Sequence, residues 1–351
     1  MLKNLVVLLV SLTVALAVAE IVIPAIIPLR LVGPPVTRGD SVYGHALTPD
    51  LRATQTTPEF RIRISINTQG FRGPEQDESA GPPIVFIGDS FTFGFGVSDG
   101  DEYPQLVSRA LSERFGHPHS GVVNAGVGNH GQGRWVKFLR RDAPRLAPRA
   151  IVLQMHQNDF RDNGAQHLFE LSEAGDLIEP PVRRMETGRR LQQWTERIPF
   201  VSRTHLFALV RQSYHAIQMR KSPAEDAEQG EAARADRLTV MLIEESLHIC
   251  AEQGWPVVAL LAALDPHQLE LVLPVLERWN VPVSLFPAKS DRQDLHWTLD
   301  GHWNEAGHRF AAERVLDLLE RAGVIPADSG KPSSGGPAAP RSATGAATAR
   351  S

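Results

Sequence analysis

Cysteine is nearly missing: the 351-residue chain holds one, Cys250. No intrachain disulfide can form, and a cysteine-ligated zinc site is excluded. Cys250 lies in the apolar-periodic stretch "LTVMLIEESLHICAEQG", which predicts a helix carrying a buried, inert thiol. An excess of charge of one sign is missing too, since 36 basic against 40 acidic residues leave a net charge of -4. That balance gives no electrostatic footing for nucleic acid. There is no internal repeat, no His-Glu-x-x-His, and no Gly-x-Gly-x-x-G or Walker-type lysine in the glycine-rich stretch "GDSFTFGFG". A phosphate-cradling loop is therefore not expected.

What the chain has in abundance is apolar sequence at its start. "MLKNLVVLLVSLTVALAVAEIVIPAIIPLR" places Lys3 before an uncharged run to Ala19, then Glu20 and a second apolar stretch to Leu29. Ala17-Val18-Ala19 fits the cleavage site of a secretory signal. A retained anchor needs roughly 20 apolar residues, and residues 5–29 supply them with Glu20 near the outer interface. The anchor is the preferred reading, because apolar sequence continues past the possible cleavage point. Both readings put the rest of the chain outside the cytoplasm, on the periplasmic side, with Lys3 inside.

Residues 1–29 thus form an anchor or leader, and residues 30–80 an extracytoplasmic lead-in. In the lead-in, "FRIRISINTQGFRG" suggests an edge strand running into a turn at Gly70. From residue 81 to 325 short apolar runs alternate with amphipathic stretches. "PIVFIG", "GVVNAG", "RAIVLQM", "PVVALLAA" and "VPVSLF" read as buried strands, and "EYPQLVSRALSERFG", "GQGRWVKFLRRDAPRL", "PHQLELVLPVLERW" and "NEAGHRFAAERVLDLLERAG" as helices. The pattern predicts an α/β three-layer sandwich around a parallel sheet of about five strands. An insertion at about 161–235 carries a helix, "THLFALVRQSYHAIQMR", and a charged loop, "SPAEDAEQGEAAR", and serves either as a lid or as a spacer. The tail 326–351, rich in Gly, Pro, Ser and Ala, cannot bury a core and is expected to be disordered.

In a doubly wound sheet ligands bind at the carboxyl ends of the strands. Four clusters stand at such ends: "GDSF" with Ser90, "NAGVGNHGQG", "HQNDF" with Asn158 and Asp159, and "DLHWTLDGHWNEAGH" with Asp300 and His302. Together they hold what acyl transfer needs. Ser90 is a weak nucleophile until a base takes its proton, which His302 can do, and Asp300 can fix the imidazole's tautomer. The oxyanion needs aimed donors, for which the Ser90 N–H, an N–H at Gly128 or Asn129 (Gly128 is preferred) and the Asn158 amide are candidates. Such chemistry requires no metal or organic cofactor. Singly, each cluster has a plainer reading. Asp89 braces the bend through its backbone, Asn304 caps the last helix, His308 packs, and Trp297 and Trp303 lie under a loop or line a pocket.

In order and spacing, "GDSFTFGFGV", "NAGVGNHG", "QND" and "DGHWNEAGH" resemble the four blocks of the SGNH/GDSL hydrolase superfamily, over about residues 82–322. The resemblance implies a flavodoxin-like fold and a serine esterase with Ser90, His302 and Asp300 as triad and Ser90, Gly128 and Asn158 as oxyanion donors. "INTQGFRGPE" and the apolar leader resemble envelope-facing bacterial members, and Asp-x-His resembles alginate-type acetyltransferases. The implied substrate is an O-acylated, chiefly O-acetylated, carbohydrate outside the cytoplasm, cleaved by hydrolysis or, alternatively, modified by transfer. One departure is plain: His156 stands where the third block has glycine, which narrows the pocket. Two rivals are a metal site on His296, Asp300, His302 and His308, which leaves Ser90 without a role, and a catalytically dead carbohydrate-binding module.

Overall fold

A computed structural model of the chain describes residues 2–26, 36–76, 81–115, 121–182, 204–209 and 225–327. The tail beyond 327, residues 27–29 of the leader, and residues 183–203 and 210–224 of the insertion lie outside the described residues.

The leader forms α1 (Leu2–Ile26). Its Lys3–Ile26 stretch has mean hydropathy 2.8, is nowhere buried, and is long and apolar enough to cross a bilayer. Near its end, Glu20 accepts the backbone N–H of His205 at 2.6 Å, so the helical turn at 205–209 of the insertion touches this helix.

The lead-in is more built than one edge strand. β1 (Thr37–Asp40) pairs antiparallel with β2 (Gly44–Leu47), and β3 (Arg52–Thr56) with β4 (Arg61–Ser65). In β4 the alternation holds: Ile62 and Ile64 are buried while Arg61 and Arg63 face outward. The turn at Gly70 follows, with φ 86°, a conformation that favours glycine.

The central sheet is parallel throughout. β5 (Ile84–Ile87), β6 (Val122–Asn124), β7 (Ala150–His156), β10 (Val257–Ala262) and β11 (Val283–Phe286) lie in the order β11-β10-β7-β5-β6. The first connection moves outward to β6 and the later ones move the other way, so the strand order reverses beside β5. The crevice of such a sheet opens there, above its carboxyl edge.

Residues of one strand feed two separate cores. Val85 and Ile87 join Ile151, Leu153, Ala259 and Leu261 under α4 (Gln132–Arg141), α7 (Glu225–Glu252) and α8 (Pro266–Arg278). Ile84 and Phe86 join Val152, Val258 and Leu260 under α3 (Tyr103–Phe115) and α9 (Glu305–Arg321). Full burial on both faces explains the unbroken apolar runs of the sequence.

Two expectations change. The run 131–146 breaks at Asp142 into α4 and α5 (Ala143–Leu146), where Pro144 can only begin a helix. The charged stretch 222–234, read as a loop, is helical from Glu225 as the start of α7. Arg234 and Arg237, one helical turn apart, donate to the Leu171 and Gly175 carbonyls of the small hairpin β8 (Glu170–Leu171)–β9 (Leu177–Ile178), which follows α6 (Asp159–Gln166). Those contacts tie that turn of the helix to the body.

Candidate active site

Strand β5 delivers the chain to Gly88 and Asp89, and Ser90 opens the one-turn helix α2 (Ser90–Phe93). Asp89 braces this corner twice. Its carbonyl accepts from the Phe93 N–H at 2.9 Å, as the sequence suggested, and its carboxylate also caps the Phe91 N–H at 2.9 Å. Gly94, at φ 86°, ends the turn and returns its N–H to the Ser90 carbonyl. The second block packs directly on this turn. A Cβ on Gly126 would stand 2.7 Å from the Thr92 carbonyl carbon, too close for any side chain. Sterics therefore demand the glycine of "NAG".

Across the crevice, Ser90 Oγ lies 2.8 Å from His302 Nε2. His302 Nδ1 is hydrogen-bonded to Asp300 Oδ1. Because an ionised carboxylate only accepts, Nδ1 carries the ring proton and Nε2 presents a lone pair to the serine hydroxyl. The loop that carries both residues is closed by Trp297 N–H to the His302 carbonyl at 2.8 Å and by Gly301 N–H to the Trp297 carbonyl at 3.2 Å. The His302 ring is flanked by Phe91 and Phe95, at centroid distances of 4.8 and 4.9 Å. Hydroxyl, imidazole and carboxylate thus stand in a row from residues 212 positions apart. Such a row can move a proton from an attacking alcohol onto a ring and hold the resulting cation.

Donors surround Ser90 unequally. Gly128 lies against it, a Cβ there standing 3.5 Å from Ser90 Cβ, and Asn129 follows in the left-handed region at φ 57°. Among the described residues, neither the Ser90 nor the Gly128 N–H is given to a protein acceptor. Asn158 is more committed. Its Nδ2 donates to Asp162 Oδ2 at 2.7 Å and its Oδ1 bonds His156 Nδ1. Its side chain is thus held by Asp162 and His156. His156 does fill space that a glycine would leave open, stacking on Phe91 at 4.3 Å and 17°. Burial holds its ring down at about 4, with the nearby His302 adding to the effect, so it is neutral at pH 7.

A buried acid pair lies beneath the corner. Burial pushes the Asp89 carboxyl up to about 6, against the pull of the Phe91 N–H and His302. Asp159 is raised well above its ordinary value, first by burial and then by the Asp89 charge. An acid raised in the fold contributes stability below its unfolded value, near 3.8, and loses it as pH rises through the folded value, near 6. Asp89→Asn keeps a capping oxygen but cannot ionise. Its urea midpoint is expected to decline less than the parent's between about pH 4 and pH 7. Equal declines in the two proteins would refute this account.

The remaining residues take plainer positions. Asn304 caps α9 through the Ala306 and Gly307 N–H groups. His308 is buried and accepts the Tyr103 N–H at 3.2 Å. Trp303 is buried and stacked on Phe286, so it packs beneath the loop; Trp297 is half-buried and donates to the Gly96 carbonyl at 3.1 Å. Among the described residues no three His, Cys, Asp or Glu side chains converge as metal ligands, so His296, Asp300, His302 and His308 do not form the rival site. Sequence reasoning missed His45, Glu59 and Arg72, which touch the site loops from the lead-in. Nothing in their local pattern separates them from ordinary strand and turn residues.

Solved structures with similar topology include a two-domain esterase active on acetylated mannans, with 12% identity and TM-score 0.40 over 69% of this chain and 50% of that one. This chain thus spans about half the length of that esterase. The psychrotrophic esterase EstA from Pseudoalteromonas sp. matches at 9% identity and TM-score 0.43, over 70% of this chain and 100% of that one. A catalytic mutant of Axe2, an acetylxylan esterase from Geobacillus stearothermophilus, matches at 13% and 0.39, over 68% and 94%. No curated protein sequence matches. The model of the GDSL-like Lipase/Acylhydrolase family matches residues 86–310, from the strand before Ser90 into the helix after His302. On that match, over most of its length, the chain belongs to the GDSL-like lipase/acylhydrolase family of ester hydrolases.

Proposed function

We propose that the protein is a serine esterase that removes acyl groups, chiefly acetyl, from a carbohydrate outside the cytoplasm. The observation that carries this reading is the 2.8 Å contact from Ser90 Oγ to His302 Nε2, the other ring nitrogen being bonded to Asp300. Ser90 attacks the ester carbonyl while His302 takes its proton, and Asp300 steadies the cationic ring. The carbonyl oxygen becomes an oxyanion, met by the Ser90 and Gly128 N–H groups and by the Asn158 amide turning from Asp162. His302 returns the proton to the departing alcohol, leaving an acyl-serine. Water, deprotonated by His302, then releases the acid and restores Ser90.

Phe95, whose ring lies 4.9 Å from that of His302, and Trp297 are partly exposed, and aromatic surface of this kind can pack a sugar ring, which supports a carbohydrate ester as substrate. α1 supports a place at the membrane, the domain standing on the outer side behind an anchor.

The reading is tested by rapid quenching of the protein with p-nitrophenyl acetate, followed by peptide mass spectrometry. An acetyl group on the Ser90 peptide, with acetate released and a glycan acceptor left unmodified, is the expected result. Acetylated glycan would replace hydrolysis with transfer. Acetyl found only on another residue would overturn the assignment of Ser90.

A further inference from the structure

We propose that residues 36–76, which the family match leaves out, form a built-in wall of the active site, with His45 and Glu59 as positioning residues for its loops. The inference rests on the reading of Ser90, His302 and Asp300 as the reacting row.

Two isolated two-stranded hairpins are marginal in water and need a surface to cover. The surface they cover is the back of the site. Leu47, Phe60, Ile62, Ile64 and Ile66 share one core with Phe93 of the nucleophile helix and with Val127, the residue before Gly128. Phe60 also packs edge-on against Phe95 at 5.5 Å and tilted on Trp297 at 5.3 Å.

Three of the four site segments then each meet a polar side chain of the lead-in. Arg72, buried, donates to the Phe93, Gly94 and Val97 carbonyls at 2.8, 2.5 and 2.7 Å, where the nucleophile helix ends. Glu59 is held at the tip of the β3–β4 turn by Thr57, whose N–H meets the Phe60 carbonyl at 2.8 Å and whose hydroxyl accepts the Glu59 N–H at 3.2 Å. From there its carboxylate accepts the Asp300 backbone N–H at 2.6 Å. His45, on β2, lies with Nε2 2.9 Å from the Gly128 carbonyl. Its ring stacks on His130 at 3.9 Å, and His130 in turn bonds the His45 carbonyl at 3.0 Å. A carbonyl can only accept, so His45 Nε2 carries the proton, and the bond fixes the Gly128–Asn129 peptide plane next to the serine.

A displacement of about 1 Å in a reacting group can cost about 10²-fold in rate. Removing a single brace should shift its loop by less than that. In the full chain, His45→Ala and Glu59→Ala are each expected to lower kcat for p-nitrophenyl acetate about tenfold with KM within about twofold. His45→Gln can still donate to the Gly128 carbonyl, and Glu59→Gln can still accept from Asp300, so both should regain most of kcat. Since the two act on different loops, the double alanine variant should lose about 100-fold. A merely structural role would lower the urea midpoint without this split or this rescue. Alanine variants that keep kcat within about twofold, or glutamine variants as impaired as alanine, would overturn the proposal. If Ser90→Ala is inactive in the same assay, such a result sinks the wall alone; an active Ser90→Ala sinks the reading of the reacting row.

Discussion

Ser90→Ala is expected to lower turnover of p-nitrophenyl acetate by about 10⁴-fold or more, with an unchanged far-ultraviolet circular dichroism spectrum. The size of the loss follows from the geometry. Alanine removes the hydroxyl that bonds His302 and leaves the backbone turn intact, because that turn is held by Asp89, Phe93 and Gly94. Residual catalysis by donors aimed at the oxyanion then sets the floor. His302→Ala should fall as far, and the double variant no further, since groups that act as a unit are not additive. A variant that retains a tenth of the parental rate would remove Ser90 from the reaction.

Arg72→Met is expected to lower the free energy of unfolding by about 3–5 kcal/mol. Methionine removes the guanidinium from over the Phe93 ring and takes a charged donor from three buried carbonyls, of which Gly94 keeps the Val97 N–H at 3.3 Å and Phe93 the long Asn124 amide contact at 3.5 Å. The ion pair with Asp99 at 3.6 Å is lost as well, though Asp99 is partly exposed and contributes less. Arg72→Lys should recover little, because one ammonium cannot span the carbonyls that a planar fork reaches together. Urea unfolding with an unchanged m-value reads the loss directly. A change below about 1 kcal/mol would mean that water replaces the guanidinium at no cost.

The two variants differ in how far their targets could be foreseen. Ser90 follows a short apolar run and precedes glycine-spaced aromatics, and a buried parallel strand leaves that signature in one dimension because both of its faces are covered. The same logic exposed β6, β7, β10 and β11. Since parallel strands end on one edge, Asn158, Asp300 and His302 could be assigned to a common rim before any distance was known. Arg72 carries no such mark. Its burial depends on carbonyls more than 20 residues further on, and an arginine in "GFRG" reads locally as a solvated turn. The α7 start was misjudged for a related reason. "SPAEDAEQGEAAR" has no apolar stripe, and part of what holds the helix is two arginines reaching another hairpin.

By itself the sequence determined the three-layer class, the strand ends that form the candidate site, and the apolar helix at the start, because each rests on a pattern of burial repeated along neighbouring residues. Only the tertiary structure decided which nitrogen of His302 faces Ser90, that Asn158 is held by Asp162 and His156, and that the lead-in bonds three of the four site segments. Those facts depend on contacts between residues far apart in the chain, and a linear pattern does not encode the meeting of two distant side chains.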